Sequence, residues 1–237
     1  MKTLQTWMAA AAMVALAGTA EAALVSRAGG TMIYDTTRNL TWLADMNYAV
    51  TSGFAAANVG GTYSNEIYAN GRMGWDAANS WANNLVYGGY SDWRLPALNT
   101  ADTTCSTSLS SPLQYYGTGC TGGELSGLFV IELGNKALES VLNATGDTAE
   151  QIANLAMFSN VQSDAYWSGT PFPPNSDVAW GFATADGRQT YYPKSSNFFV
   201  LAVRSGDVAA PMPEPQTLAL ALLALGATVV ARRRRPR

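Results

Sequence analysis

The 237 residues allow one substantial domain or two small ones, and a hydrophobic share of 48% makes a full core attainable. Charged residues make up only 13%, about half the usual share of a soluble domain. Residues 23–210 hold eight basic and fifteen acidic residues, a net charge of −7; an acidic domain repels phosphate backbones, so no nucleic acid is expected as a partner.

At the N-terminus Lys2 opens a short basic region, an apolar run follows over 7–17, and Ala20-Glu21-Ala22 supplies the small-x-small pattern that signal peptidase reads. The expectation is a signal peptide over 1–22, with an uncleaved anchor as the alternative. Residues 31–34 and 40–43 read as short strands around the turn chemistry of Asp35-Thr36-Thr37-Arg38-Asn39, which predicts a hairpin. A Gly-, Asn- and Ala-rich stretch to Arg72 reads as loop. Trp75, Ala78, Ala82 and Leu85 recur at spacings of three and four, predicting a helix over 75–85 that Gly88-Gly89 ends. The compact segment Asp92-Trp93-Arg94-Leu95-Pro96 follows.

Cys105 and Cys120 are the only cysteines, and in an oxidising compartment a lone pair is most simply a disulfide. Free thiols serving a copper or redox site are the alternative. The polar, Gly/Ser/Thr-rich segment 106–119 between them reads as a stapled insertion. Helices are expected over 124–129, 132–142 and, capped by Thr148, over 149–156. The period then changes. Residues 165–168, 178–184, 189–192 and 198–204 are aromatic or β-branched runs separated by Pro, Gly, Asn and Asp, with a hairpin at Asp186-Gly187. Early strands, central helices and a late meander predict one α+β domain over 23–207, its short helices packed on an antiparallel sheet and its ends paired in that sheet.

A linker over 208–216 carries Pro213-Glu214-Pro215, an apolar run over 217–231 follows, and arginines crowd the basic tail 232–237. As a helix the fourteen residues 218–231 span roughly 21 Å, short of a hydrocarbon core of about 30 Å unless the arginines snorkel. Flanking arginines favour the cytoplasmic side, so a transmembrane helix with the domain outside is expected. The order of the three parts resembles the PEP-CTERM sorting signal of Gram-negative bacteria, with Pro213, Glu214 and Pro215 at its core. The resemblance implies an exosortase-type processing protease as partner, export across the inner membrane, transient anchoring, and then the cell surface or an exopolysaccharide matrix. A plain C-terminal anchor is the alternative.

Tyr34-Asp35 with Leu40-Thr41-Trp42, Trp75-Asp76-Ala77-Ala78, and Gly89-Tyr90-Ser91-Asp92-Trp93-Arg94-Leu95-Pro96 resemble the Lcl C-terminal domain family. Glu124-Leu125-Ser126-Gly127-Leu128, Tyr166-Trp167-Ser168-Gly169-Thr170, Ala179-Trp180, Gly187 and Val203-Arg204 continue the resemblance over about 31–206. It implies a C-type-lectin-like α+β fold. Relatives include the trimeric C-terminal domain of a collagen-like adhesin that binds sulfated glycosaminoglycans. This sequence carries no collagen-like repeat, and its acidic domain is a poor match for sulfated polyanions.

Asp92, Trp93 and Arg94 could together hold a sugar by stacking and bidentate hydrogen bonds. The structural reading makes Trp93 core, with Asp92 and Arg94 satisfying buried backbone groups or pairing with each other. Leu95, Pro96, Glu124, Trp167, Ser168 and Arg204 are likewise read as structural motif residues. Tyr115, Tyr116, Tyr191 and Tyr192 lie in polar loop-like or edge contexts and are expected to be exposed, as candidate ligand contacts. The absence of histidine removes the commonest general base and metal ligand and rules out a Ser-His-Asp triad. No cofactor or metal is expected, although Asp and Asn loops leave calcium open. The expectation is a non-enzymatic surface or matrix protein that binds extracellular polysaccharide. The alternatives are a structural or adhesion protein that binds other proteins, and a carbohydrate-active enzyme using a carboxylate pair such as Asp92 and Glu124.

Overall fold

A computed structural model describes residues 23–208. The expected signal peptide, the Pro213-Glu214-Pro215 triplet, the apolar span 217–231 and the basic tail lie outside the described residues. Among the described residues no helix is long and apolar enough to cross a membrane.

The chain folds as an α+β domain around two antiparallel sheets, where one had been expected. The first sheet holds β1 (Leu24–Arg27), β2 (Met32–Asp35), β3 (Leu40–Leu43) and β9 (Val203–Ser205), in that order. The predicted hairpin is β2–β3, with Ile33 opposite Trp42. Trp42 in turn faces Val203, so the two ends of the domain meet in one sheet. Arg27 Nε–H and Nη2–H donate to the two Asp207 oxygens, both at 2.8 Å, and clamp the first strand to the last described turn.

The second sheet has the order β4-β5-β8-β7-β6. Its strands are β4 (Thr107–Ser110), β5 (Leu113–Thr118), β6 (Ala165–Pro171), β7 (Val178–Ala183) and β8 (Arg188–Pro193). Apolar side chains fill both faces, as the period-2 alternation of a strand allows. Trp180 and Phe182 point one way; Phe182 stacks on Phe129 with ring centres 5.5 Å apart, and Trp180 meets Tyr191 edge-on. On the other face Trp167 meets Phe198 and Tyr192. Burying each such ring contributes about 1.5–3 kcal/mol.

Two helices occupy the stretch to Arg72 that read as loop: α1 (Tyr48–Thr51) and α2 (Phe54–Ala57). The predicted central helix is α3 (Trp75–Asn83), which buries Ala77, Ala78, Trp81 and Ala82. α4 (Glu124–Ser126) runs directly into a π-helical turn, Gly127–Glu132. The helix expected over 132–142 does not form. Gly134 takes a left-handed backbone (φ 75°), and the Asn135 side chain turns back to donate to the Glu139 carbonyl at 2.9 Å. α5 (Ala149–Leu155) starts at the expected Thr148, whose hydroxyl accepts from Gln151 N at 3.1 Å.

Candidate functional site

The segment after α3 is built as a lock. Trp93 is 2% exposed, and its Nε1–H donates to the Tyr87 carbonyl at 3.3 Å. Its neighbours point away from it and do not pair with each other. Arg94 clamps Glu124 through two bonds of 2.7 Å, and Glu124 Oε2 also accepts from Ala97 N at 2.7 Å. Glu124 raises the Arg94 pKa above its ordinary value, against the lowering effect of burial. Arg204 clamps Asp92 at 2.8 and 3.0 Å while lying 4.0 Å over the Tyr90 ring. That hydrogen bonding holds the Asp92 carboxyl below its ordinary pKa. Leu95 is buried, and the Pro96 carbonyl accepts from Gly169 N at 2.8 Å. Trp167 Nε1–H donates to Met73 O, and the Ser168 hydroxyl to Trp180 O, both at 2.8 Å. These contacts tie the segment to α4, β6, β7 and β9, and they commit the Asp92 carboxylate and the Arg94 guanidinium to protein partners rather than to each other.

Another clamp had no counterpart in the sequence. Arg38 Nη1–H donates to Asp35 at 2.8 Å and to Glu132 at 2.9 Å, with both carboxylates buried. Burial would lower the Arg38 pKa, but the two acids outweigh it and raise it. The pair Asp35–Arg38 was visible only as turn chemistry, and Glu132 lies 94 residues away.

The four candidate tyrosines are half-buried rather than exposed, because segment 106–119 is no loose loop: it is the hairpin β4–β5, joined to β8 through Gly117 opposite Gln189. Tyr191 stacks on Phe172, ring centres 4.4 Å apart. Tyr192, next in the strand, projects from the opposite face. Tyr115 offers its carbonyl to Gln189 Nε2 at 3.3 Å. Tyr116 and Tyr192 line a depression of about 420 Å³ with Arg188.

Cys105 and Cys120 form a disulfide. Beside it Asp102, 6% exposed, accepts from Thr104 N, Thr104 Oγ1, Thr121 N and Gly122 N at 2.6–3.0 Å. Burial pushes the Asp102 carboxyl up, and these hydrogen bonds outweigh it and hold the pKa below its ordinary value. Among the described residues, Asp102, Cys105 and Cys120 are the one group of three with metal-ligand spacing, and both sulfurs are committed to the disulfide.

A further concavity, with a volume of about 690 Å³, lies between α1–α2 and α3. Trp81 forms its floor, and Tyr48 and Phe54 its half-buried wall. Tyr48 packs edge-on against Tyr87 at 4.9 Å, which continues to Trp93 at 6.1 Å, so the wall is braced against the locked segment. Burial, then Tyr87 and Asp45, raise the Tyr48 pKa, which keeps its hydroxyl protonated. Asn58, Asn65 and Asn84 stand exposed at the rim. An apolar floor with a few rim amides suits ligands that carry both CH faces and hydroxyls. The sequence reading missed this cleft because two four-residue helices leave no periodicity to detect.

Residues 31–204 match the family model described as the Lcl C-terminal domain. No curated protein and no solved structure matches the chain.

Proposed function

The chain belongs to the Lcl C-terminal domain family, and from that premise we propose that it is an exported, non-enzymatic surface or matrix protein that binds polysaccharide in the cleft between α1–α2 and α3. The observation that carries the reading is the cleft itself: Tyr48, Phe54 and Trp81 for sugar CH faces, with rim amides for hydroxyls. The scaffold is a C-type-lectin-like one. Its support is the pairing of the domain's two ends in one sheet while the second sheet forms from residues between them. Asp92 and Glu124, the carboxylates that a glycosidase would use, are each held by an arginine; this favours binding over turnover.

The signal peptide over 1–22 directs export from the cytoplasm of a Gram-negative bacterium. The Pro213-Glu214-Pro215 triplet, span and arginines direct transient anchoring and processing by an exosortase-type protease. The test is retention of the full-length protein, cysteines oxidised, on immobilised polysaccharides that include the host's own matrix. Retention without product release, weakened by Tyr48→Ala and Asn84→Ala, is the expected result. Self-association or protein capture with no glycan retention would replace this reading with a structural one.

A further inference from the structure

The charge pattern around the cleft restricts which polysaccharide it takes. None of the side chains lining it is acidic or basic. The charges around it are acidic. Asp45 lies close enough to Tyr48 to raise its pKa, and Asp76 in the first turn of α3 accepts at 2.5 Å from the hydroxyl of Ser64, the residue before the lining Asn65. Arg72, five residues from the lining Ile67 and Ala77, is paired with Asp164. A uronate or sulfate entering here would meet negative potential and find no cationic partner.

The hydrogen-bonding groups of the cleft are all neutral. Asn58 Nδ2 donates to the Phe54 carbonyl, and Asn84 Nδ2 to the Ser80 carbonyl, both at 2.8 Å. Tying each amide nitrogen back to its own helix leaves the Oδ1 atoms of both residues without a partner among the described residues. The Asn65 amide and the Tyr48 hydroxyl likewise have none there. The cleft thus offers neutral amide-oxygen acceptors, with the Asn65 amide and Tyr48 hydroxyl able to donate as well, around the buried Trp81. Neutral acceptors match hydroxyl donors, and hydroxyls with CH faces are the surface of an unsubstituted hexose chain.

Resting on the polysaccharide reading above, we infer that the ligand is an uncharged polysaccharide, one without carboxylate or sulfate, held by Tyr48, Phe54, Trp81 and the amides of Asn58, Asn65 and Asn84. The inference separates this chain from relatives that take sulfated glycans. Because no charge pairing is involved, affinity should be nearly independent of ionic strength.

The experiment is affinity electrophoresis of the full-length protein through gels containing a neutral glucan, mannan or galactan, a polyuronate, or a heparin-type sulfated chain, at low salt and at high salt. Two variants accompany it: Asn84→Ala, on an exposed rim position, and Tyr48→Phe, which removes only the hydroxyl. Each is checked by thermal melting. The expected result is retardation by at least one neutral chain, unchanged by salt and lowered about 5- to 10-fold by Asn84→Ala, with no retardation by the anionic chains. Retardation only by anionic chains, abolished by salt, would overturn the inference and leave the polysaccharide reading standing. Neutral-chain binding that both variants leave intact would also overturn it, by placing the ligand elsewhere. No retardation by any glycan, the host's own matrix included, would overturn both.

Discussion

Three of the arginine clamps, Arg38 on Asp35 and Glu132, Arg94 on Glu124 and Arg204 on Asp92, differ in how far water reaches them, and their contributions should differ accordingly. Glu124→Ala removes a bidentate pair of which Arg94 is 35% and Glu124 21% exposed, and also orphans the Ala97 N–H. The expected loss is about 1–3 kcal/mol, read from urea unfolding. Asp92 is 56% exposed, so Asp92→Ala should cost under about 1 kcal/mol. Equal losses would contradict this ordering.

Asp102 gives a prediction with a sign in pH. Its folded pKa lies below its ordinary value, so the folded state binds that proton less readily than the unfolded one. Its contribution is complete above the unfolded carboxyl pKa of about 3.9 and disappears as pH falls through the lowered folded value. Asp102→Asn should therefore lower stability at pH 7 and flatten the loss of stability below pH ~4. A variant whose acid limb stays as steep as the parent's would place that proton uptake elsewhere.

Among the elements, those legible from sequence were the ones whose side chains declare a period. β2, β3, β7 and β8 announce themselves by β-branched and aromatic runs, and α3 by Trp75, Ala78 and Ala82 at helical spacing. β4 and β5 did not. Their Ser, Thr and Gly residues resemble a loop, and what makes them strands is backbone pairing with each other and with β8. The π-helical turn Gly127–Glu132 was also hidden; Glu132 at its end meets Arg38, 94 residues away in sequence. A Cβ on Gly127 would come within 2.2–2.4 Å of the Arg38 guanidinium. Gly127→Ala should therefore break that clamp and cost about 1–3 kcal/mol in thermal unfolding, whereas a near-neutral result would show that Arg38 can move aside. The disulfide closes the β4–β5 hairpin over a separation of 15 residues. Replacing both cysteines with serine should lower stability by about 3 kcal/mol without altering the far-ultraviolet spectrum.

At the scale of the molecule, the residues that identify the family and the residues that form the cleft are different sets. The signature from Gly89 to Pro96 builds the interior: Trp93 is buried, and Arg94 and Asp92 are spent on clamps. Sequence reading found that signature because its residue types are distinctive. It could not find the cleft, whose lining of Asn, Ser, Ala and single aromatics is assembled from two helical turns and α3. The two sets meet at Tyr87, which touches both Trp93 and Tyr48. If the proposed cleft binds a glycan, rim residues such as Asn58 and Asn84 should set ligand choice, and the −7 charge of residues 23–210 should disfavour polyanions.

The proposal that the cleft between α1–α2 and α3 holds a neutral glycan turns on the asparagines of its rim. It is tested by titrating the protein with a neutral hexose oligosaccharide while following the side-chain amide resonances of asparagine and glutamine. The account predicts that Asn58, Asn65 and Asn84 shift together and saturate, while the amides of Gln114 and Asn99, beside the disulfide hairpin, stay still. Shifts confined to that hairpin and the Tyr116–Tyr192 depression, or no shift with any glycan that the protein retains, would contradict it.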